Sequence, residues 1–172
     1  MCLYLRSKDK NKIPEISEED KTVYKVFSCY TTTDGKLIIR SPYRDYTYEK
    51  KENVADDFEY SVNDIAVLIG FHSFERIEDA IILQNYFNRV EREFSKNSAT
   101  RTYFIVLECV VPKGTPYYVG EFPHNAYVSQ PTCICSEKII VKDQFVMFGK
   151  TFEDSPNLNS NFFSNYCEIK LK

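Results

Sequence analysis

The stretch from Glu75 to Phe94 most constrains the fold, because it carries the strongest amphipathic helix pattern in a chain of strand-like runs. Ser73 precedes acids at Glu75 and Glu78, which predicts a helix start capped by the Ser73 hydroxyl, with the acids favoured by the helix dipole. The apolar residues recur at helical spacing, at Ile77, Ala80, Ile81, Phe87, Val90 and Phe94. The sequence therefore predicts one helix that packs by one face on another layer.

In the sequence, strand-like runs both precede and follow this helix. Thr22–Tyr30 and Lys36–Arg40 flank an Asp-Gly turn, which predicts a β-hairpin. Thr102–Pro112 is mostly apolar on both faces, which is typical of a central strand. The 13 Tyr and 13 Phe residues also favour strands, because aromatic side chains fit a pleated surface. We therefore predict an α+β fold, with a mostly antiparallel sheet and one principal helix packed on it.

Glu108 interrupts the apolar pattern of the central strand. A carboxylate between apolar neighbours is costly unless it is compensated. It is therefore either paired with an Arg or Lys, or placed at a cleft with a raised pKa. The sequence favours pairing and does not exclude the cleft.

Length and composition set limits on domains, partners and location. A chain of 172 residues that is 43% hydrophobic fits a single domain over residues 1–172. The net charge of −3 argues against a nucleic acid partner. No apolar run approaches the roughly 20 residues that span a bilayer, and the first residues lack a signal-peptide pattern. We therefore expect no membrane association and a cytoplasmic location.

The six cysteines fit free thiols better than disulfides or metal ligands. Cys29 and Cys109 lie in apolar runs, where cysteine behaves as a small apolar residue. Cys133 and Cys135 form a C-x-C pair, and the chain has only two histidines to complete a tetrahedral zinc site. We predict six reduced thiols, no metal site and no cofactor.

Two polar patches are candidates for a ligand site. Ile65–Ile69 is predicted as a buried strand that turns at Gly70 into the helix, and a helix N-terminus favours anions. Arginines and phenols near Pro42 can bind a phosphate or carboxylate by paired hydrogen bonds. Each residue also has a structural interpretation, as a solvated loop, a packing histidine or a plain helix cap. The predicted ligand-binding residues are Arg40, Tyr43, Arg44, Phe71, His72 and Ser73.

In this predicted pocket the arginines neutralise charge, Tyr43 or Phe71 stacks on a ring, and His72 donates a hydrogen bond. The common nucleotide, metalloprotease and hydrolase motifs are absent from the sequence. A cysteine-histidine hydrolase would need a thiol beside a histidine, and the spacing selects none of the six cysteines. We therefore assign no catalytic residue.

Two family resemblances follow from the order of the segments. The pattern GFHSF, an Ala-containing helix, then ECVVPKGTPYYVG resembles small proteins of gut bacteria and their phages that have no assigned activity. The same order is similar to that of ADP-ribosyltransferases. That likeness implies a strand residue at Lys25 or Arg40, a strand serine at Ser73 and a late glutamate at Glu137.

The sequence thus leaves two functions open. The first is a non-catalytic protein that binds a small anionic or nucleotide-like ligand or a partner protein, as phage counter-defence and signal-sequestering proteins do. The second is a diverged ADP-ribosyltransferase-like enzyme that acts on NAD. Mass spectrometry of NAD after incubation with the protein separates them, since only the second cleaves it.

Overall fold

The computed structural model describes residues 3–5, 13–31, 37–43, 46–49, 52–58, 60–61, 66–67, 69–94 and 102–145. The elements in chain order are β1 Leu3–Tyr4, β2 Glu15–Ile16, β3 Lys21–Thr31, β4 Leu37–Arg40, β5 Glu52–Val54, β6 Tyr60–Ser61, β7 Ala66–Val67, β8 Phe71–Phe74, α1 Ile77–Phe94, β9 Tyr103–Val111, β10 Pro116–Glu121, β11 Thr132–Ser136 and β12 Lys138–Phe145.

All of these strands belong to one sheet. Its order is β5-β12-β9-β3-β8-β11-β10-β1-β7-β6, with β2 beside β10 and β4 beside β3. The recorded pairs are all antiparallel. The α+β prediction, with a mostly antiparallel sheet and one helix packed on it, is confirmed.

Strand β9 is central, as its apolar faces predict. It pairs with β3 on one side and with β12 on the other. Glu108, partly buried on β9, accepts a hydrogen bond of 2.6 Å from Lys142 Nζ on β12. The prediction that Glu108 pairs with a basic side chain is confirmed. The β3–β4 hairpin is also confirmed, while its turn lies outside the described residues.

Side chains that alternate along the strands supply two hydrophobic clusters. Val26 of β3 belongs to the first cluster, together with Val106 and the helix residue Leu83. Val23 and Phe27 of β3 belong to the second, together with β9 and β12 residues such as Leu107. Burial of one such aliphatic side chain stabilises the fold by roughly 1.5 to 3 kcal/mol. Because successive side chains of β3 point to opposite faces of the sheet, this strand contributes residues to both clusters.

Helix α1 is attached to the sheet by polar contacts as well as by its apolar face. Gln84 Nε2 donates to the Phe104 carbonyl over 2.9 Å, and the Phe104 amide donates to Asn88 Oδ1 over 3.1 Å. These side-chain amides satisfy backbone groups at the start of β9 that would otherwise be buried without partners. They fix the position of the helix along the central strand.

The start of the helix corrects the sequence prediction. Helix α1 begins at Ile77, and Glu78 and Asp79 are the acids of its first turn. Ser73 lies inside β8, where it is fully buried and pairs with Ile134, so the prediction that Ser73 caps the helix is wrong. The residues FHSF alternate as a strand, and β8 gains a cross-strand partner in β11 that the local sequence does not reveal.

The predicted strand Ile65–Ile69 is shorter in the structure. Strand β7 contains Ala66 and Val67, Ile69 lies in a bend, and Ile65 and Leu68 lie outside the described residues. No helix in the described part of the chain is long and apolar enough to cross a bilayer. Among the described cysteines, Cys29, Cys109, Cys133 and Cys135 are free, whereas Cys2 and Cys167 fall outside the described ranges.

Candidate functional site

A gap opens in the sheet where β3 separates from β8. Strand β3 pairs with β9 at nine positions, from Lys21 to Cys29, but its recorded register with β8 is the single pair Tyr24 and Phe74. Lys25 is the next residue of β3. It is 6% exposed, and its Nζ donates a 2.6 Å hydrogen bond to the His72 carbonyl of β8. A side-chain ammonium thus occupies the gap between the two strands.

The surroundings of Lys25 provide little compensation for a positive charge. Nζ lies 5.6 Å from the ring centroid of Tyr48 and 5.9 Å from that of Phe27. Among the residues that the structure describes, the recorded ion pairs include none between Lys25 and a carboxylate. Burial therefore lowers the pKa of Lys25 below its usual range, and the nearby thiols of Cys109, Cys133 and Cys135 oppose this only in part.

The gap contains a small cavity of about 40 Å³. It reaches the protein surface beside Tyr43, whose side chain is 36% exposed. Val26, Phe74 and Leu83 of the first hydrophobic cluster contribute to its walls, as does Tyr48, which packs against the second cluster. The lining residues are Lys25, Val26, Ser41, Pro42, Tyr43, Tyr48, Gly70, His72, Phe74 and Leu83.

His72 forms one wall of the cavity and is held in its neutral state. Its Nδ1 lies 3.9 Å from Cys135 Sγ on β11, and its buried Nε2 has no hydrogen-bond partner among the described residues. Burial, together with the nearby Lys25, lowers the pKa of His72 to about 3. A neutral imidazole next to a buried amine can accept a hydrogen bond from a ligand, and it does not add a second positive charge.

Gly70 allows β8 to approach β11 closely beside the cavity. Its φ of 146° is one that side chains rarely adopt, and a Cβ there would lie 2.5 Å from Cys135 Sγ and 3.0 Å from Phe58. The cavity wall therefore requires glycine at this position.

Tyr43 connects the cavity to an aromatic cluster centred on His124. The centroid of Tyr43 lies 5.3 Å from Phe87 and 6.5 Å from His124. His124 stacks on Phe122 with centroids 5.6 Å apart, and its Nδ1 accepts a 3.0 Å hydrogen bond from the Ala126 amide. Burial lowers the pKa of His124. The sequence context suggests a surface histidine, but its ring is partly buried and lies 6.5 Å from that of Tyr43.

The structure brings together two of the six predicted ligand-binding residues. Tyr43 and His72 both line the cavity, although they lie 29 positions apart in the chain. His72 lies within β8 and not at the N-terminus of the helix, which begins at Ile77, so that part of the prediction is wrong. The amides of the helix N-terminus therefore do not form the site.

The other four predicted residues occupy different surroundings. Phe71 is buried in the second cluster, with its ring 5.4 Å from that of Tyr46, and Ser73 is buried within β8. Arg40 ends β4, and its carbonyl accepts a hydrogen bond from Ser28 Oγ over 3.3 Å. Arg44 lies outside the described residues. Of the described residues, Phe71, Ser73 and Arg40 are not among those that line the cavity.

Lys25 is absent from the predicted ligand-binding residues, although the likeness to ADP-ribosyltransferases implies it as a strand position. The necessary signal is present, because Val23, Lys25 and Phe27 share one face of a β-strand by period-two alternation. A lysine between two apolar neighbours on a buried face indicates a compensated or chemically unusual amine, by the same logic that selects Glu108.

The positions implied by the likeness to ADP-ribosyltransferases, which are Lys25 or Arg40 with Ser73 and Glu137, do not all line the cavity. Lys25 lines the cavity, Ser73 does not, and Glu137 lies between β11 and β12 with its amide bonded to the Pro116 carbonyl over 3.0 Å. No recorded hydrogen bond or ion pair joins Lys25, Ser73 and Glu137 within the described ranges. The second hypothesis stays a prediction without support from this geometry.

Comparison of the chain with protein-family models, curated proteins and solved structures found no match. No group of three or more metal-ligating side chains occurs in the part of the chain that the structure describes. The cavity beside Lys25 is therefore the candidate functional site.

Proposed function

We propose that this protein binds a small anionic ligand in the cavity between β3 and β8. The observation that supports the proposal is Lys25, an amine that is 6% exposed, faces the cavity and makes no recorded ion pair with a described carboxylate. Burying an ammonium without a counter-charge is costly, whereas an anion in the cavity compensates it. Ser41, Tyr43 and Tyr48 add hydroxyl groups that can donate hydrogen bonds to the same anion.

The size of the cavity favours one small group over a nucleotide. A single water requires roughly 10 to 15 Å³ measured in this way, so about 40 Å³ holds about three waters or a group of similar size. Pockets that enclose drug-sized ligands measure roughly 300 to 1,000 Å³. A carboxylate with a short carbon chain fits this space, whereas a whole nucleotide does not.

The wider role remains part of the proposal. A cytoplasmic setting fits the four free, buried thiols among the described residues. Sequestration of a small signal, or a phage counter-defence role, requires tight and reversible binding without turnover. A small cavity with a buried amine in its lining is suited to such reversible binding.

Calorimetric titration with acetate, glyoxylate, inorganic phosphate and AMP tests the proposal. We expect saturable binding of a small carboxylate by the wild type, and at least about tenfold weaker binding by Lys25→Met, because a charged hydrogen bond contributes about 1.5 to 3 kcal/mol. Affinity should fall as the pH rises above the lowered pKa of Lys25, because the ammonium loses its charge.

Lys21→Met is the matched control, since Lys21 lies on the same strand but pairs with Glu75 at the surface. It should bind the carboxylate as the wild type does. Equal binding by folded Lys25→Met and wild type would reject the cavity as the site, and binding of AMP alone would reject the size argument.

A further inference from the structure

The burial of Lys25 affects the reactivity of its amine as well as its charge. A protonated amine is not a nucleophile, and desolvation in an apolar pocket is a common means of keeping a lysine partly unprotonated. Lys25 is 6% exposed, lies beside the rings of Tyr48 and Phe27, and reaches a cavity that adjoins solvent at Tyr43. An amine in this position can meet a small electrophile.

The cavity also contains groups that can assist attack on a carbonyl. Tyr43 and Tyr48 both line it, and burial raises the pKa of each phenol, so both stay protonated and able to donate. Neutral His72 lies on the opposite strand and can accept a hydrogen bond. Carbinolamine formation requires such donors and acceptors, because the carbonyl oxygen gains a proton and later leaves as water.

We infer that Lys25 captures a short oxo acid, such as an aldehyde acid or a 2-oxo acid, as an imine. The amine lone pair attacks the carbonyl carbon, the oxygen is protonated, and loss of one water forms the C=N bond without any redox change. The protonated imine retains one positive charge, and the carboxylate of the same ligand neutralises it within the cavity. This inference rests on the proposed function and names its ligand class.

The test uses glyoxylate as the probe and sodium cyanoborohydride as the trapping reductant, which converts the iminium to a stable secondary amine. Under limiting reagent, peptide mapping should show a carboxymethyl group on Lys25 first, with labelling of Lys21 several-fold slower. In denaturant the two lysines should label equally, because the difference comes from the fold and not from the local sequence. Lys25→Met should lose the fast adduct and keep the slow background.

Two further probes separate this inference from the proposed function. Acetate carries the carboxylate without a reactive carbonyl, and acetaldehyde carries the carbonyl without the carboxylate. We expect acetate to slow labelling of Lys25 by glyoxylate, and acetaldehyde to label Lys25 more slowly than glyoxylate does. If acetate binds calorimetrically but Lys25 labels no faster than Lys21, the imine is rejected and the anion site stands.

A different outcome is that both aldehydes label Lys25 fast, while acetate neither binds the protein nor slows the labelling. The amine is then reactive, but the anion site is rejected, and the oxo acid is rejected as the ligand. If Lys25 is neither labelled nor protected in the folded wild type, both proposals are overturned. The mapping uses the wild-type chain, so these outcomes do not depend on whether a variant folds.

Discussion

Lys21 and Lys25 lie four residues apart on the same face of β3, yet their surroundings differ. Lys21 pairs with Glu75 Oε1 at 2.7 Å and its side chain is 33% exposed, whereas Lys25 is 6% exposed and donates to a backbone carbonyl. Both have an aromatic ring near Nζ, at 5.4 Å for Lys21 and 5.6 Å for Lys25. Ring contact therefore does not distinguish the two lysines. They differ in their access to water and in whether a carboxylate pairs with the amine.

This contrast shows how one strand provides both an ordinary and an unusual amine. At Lys21 the strand borders solvent, so an acid from the segment before α1 can reach the ammonium. At Lys25 the strand passes through the interior, beside the gap in the sheet, where the nearest recorded acceptor is the carbonyl of His72. The same side chain thus acquires a lowered pKa through its depth in the fold.

The largest effect on stability is expected from Gly70→Ala, which adds a side chain to a residue of the cavity wall. The added Cβ would meet Cys135 Sγ and require a strained φ, so we expect a loss of about 2 to 5 kcal/mol in the free energy of unfolding. Urea denaturation measures this loss. Gly114→Ala is the matched control, since its φ is 80° but no atom lies within 4 Å, and it should cost only about 1 to 2 kcal/mol.

A double-mutant cycle isolates the contact in that wall. In a Cys135→Ala background, Gly70→Ala should cost measurably less than in the wild type, because the sulfur is gone. An unchanged cost would mean that β8 shifts freely, so that the gap beside Lys25 is not rigidly held.

The next effect is on the pH dependence of stability. The unfolded chain binds a proton at Lys25 up to a pKa near 10.5, whereas the folded chain releases it at a lower pH. Wild-type stability therefore rises with pH between the lowered pKa and 10.5, relative to a variant without this amine. Lys25→Met should thus gain stability relative to wild type as the pH falls through this range.

Thermal or urea unfolding at several pH values measures this difference. Lys21→Met should not show it, because Lys21 is partly exposed and pairs with Glu75. A difference between Lys25→Met and wild type that stays constant with pH would contradict the buried, uncompensated amine.

The smallest effect belongs to the surface pair. Lys21→Met and Glu75→Gln should each change the free energy of unfolding by about 0.2 to 1 kcal/mol, and the double variant should show a coupling of the same size or less. Added salt should reduce that coupling, since exposed charges are screened. A coupling well above 1 kcal/mol would mean that Lys21 and Glu75 do not behave as an ordinary exposed ion pair. The contrast between Lys21 and the buried Lys25 would then be weaker than their exposures indicate.

Local sequence was sufficient for the elements whose physical causes are local. The helical spacing of Ala80 and Phe87 predicts α1, and the apolar alternation around Leu107 predicts the central strand. Glu108 was correctly identified as a group that needs a cation. Ser73 was misassigned because a serine before two acids fits both a helix cap and a strand, and only the pairing of β8 with β11 decides between them.

Which residues form the candidate site depends on the tertiary structure. The sequence alone determined the α+β class, the positions of the main helix and central strand, and the presence of a lysine on an otherwise apolar strand face. The tertiary structure decided that β3 separates from β8 just after Tyr24, which leaves Lys25 facing a cavity with Tyr43 and His72. Helix and strand patterns repeat over a few residues, whereas a gap in a sheet depends on pairing between segments that lie far apart in the chain.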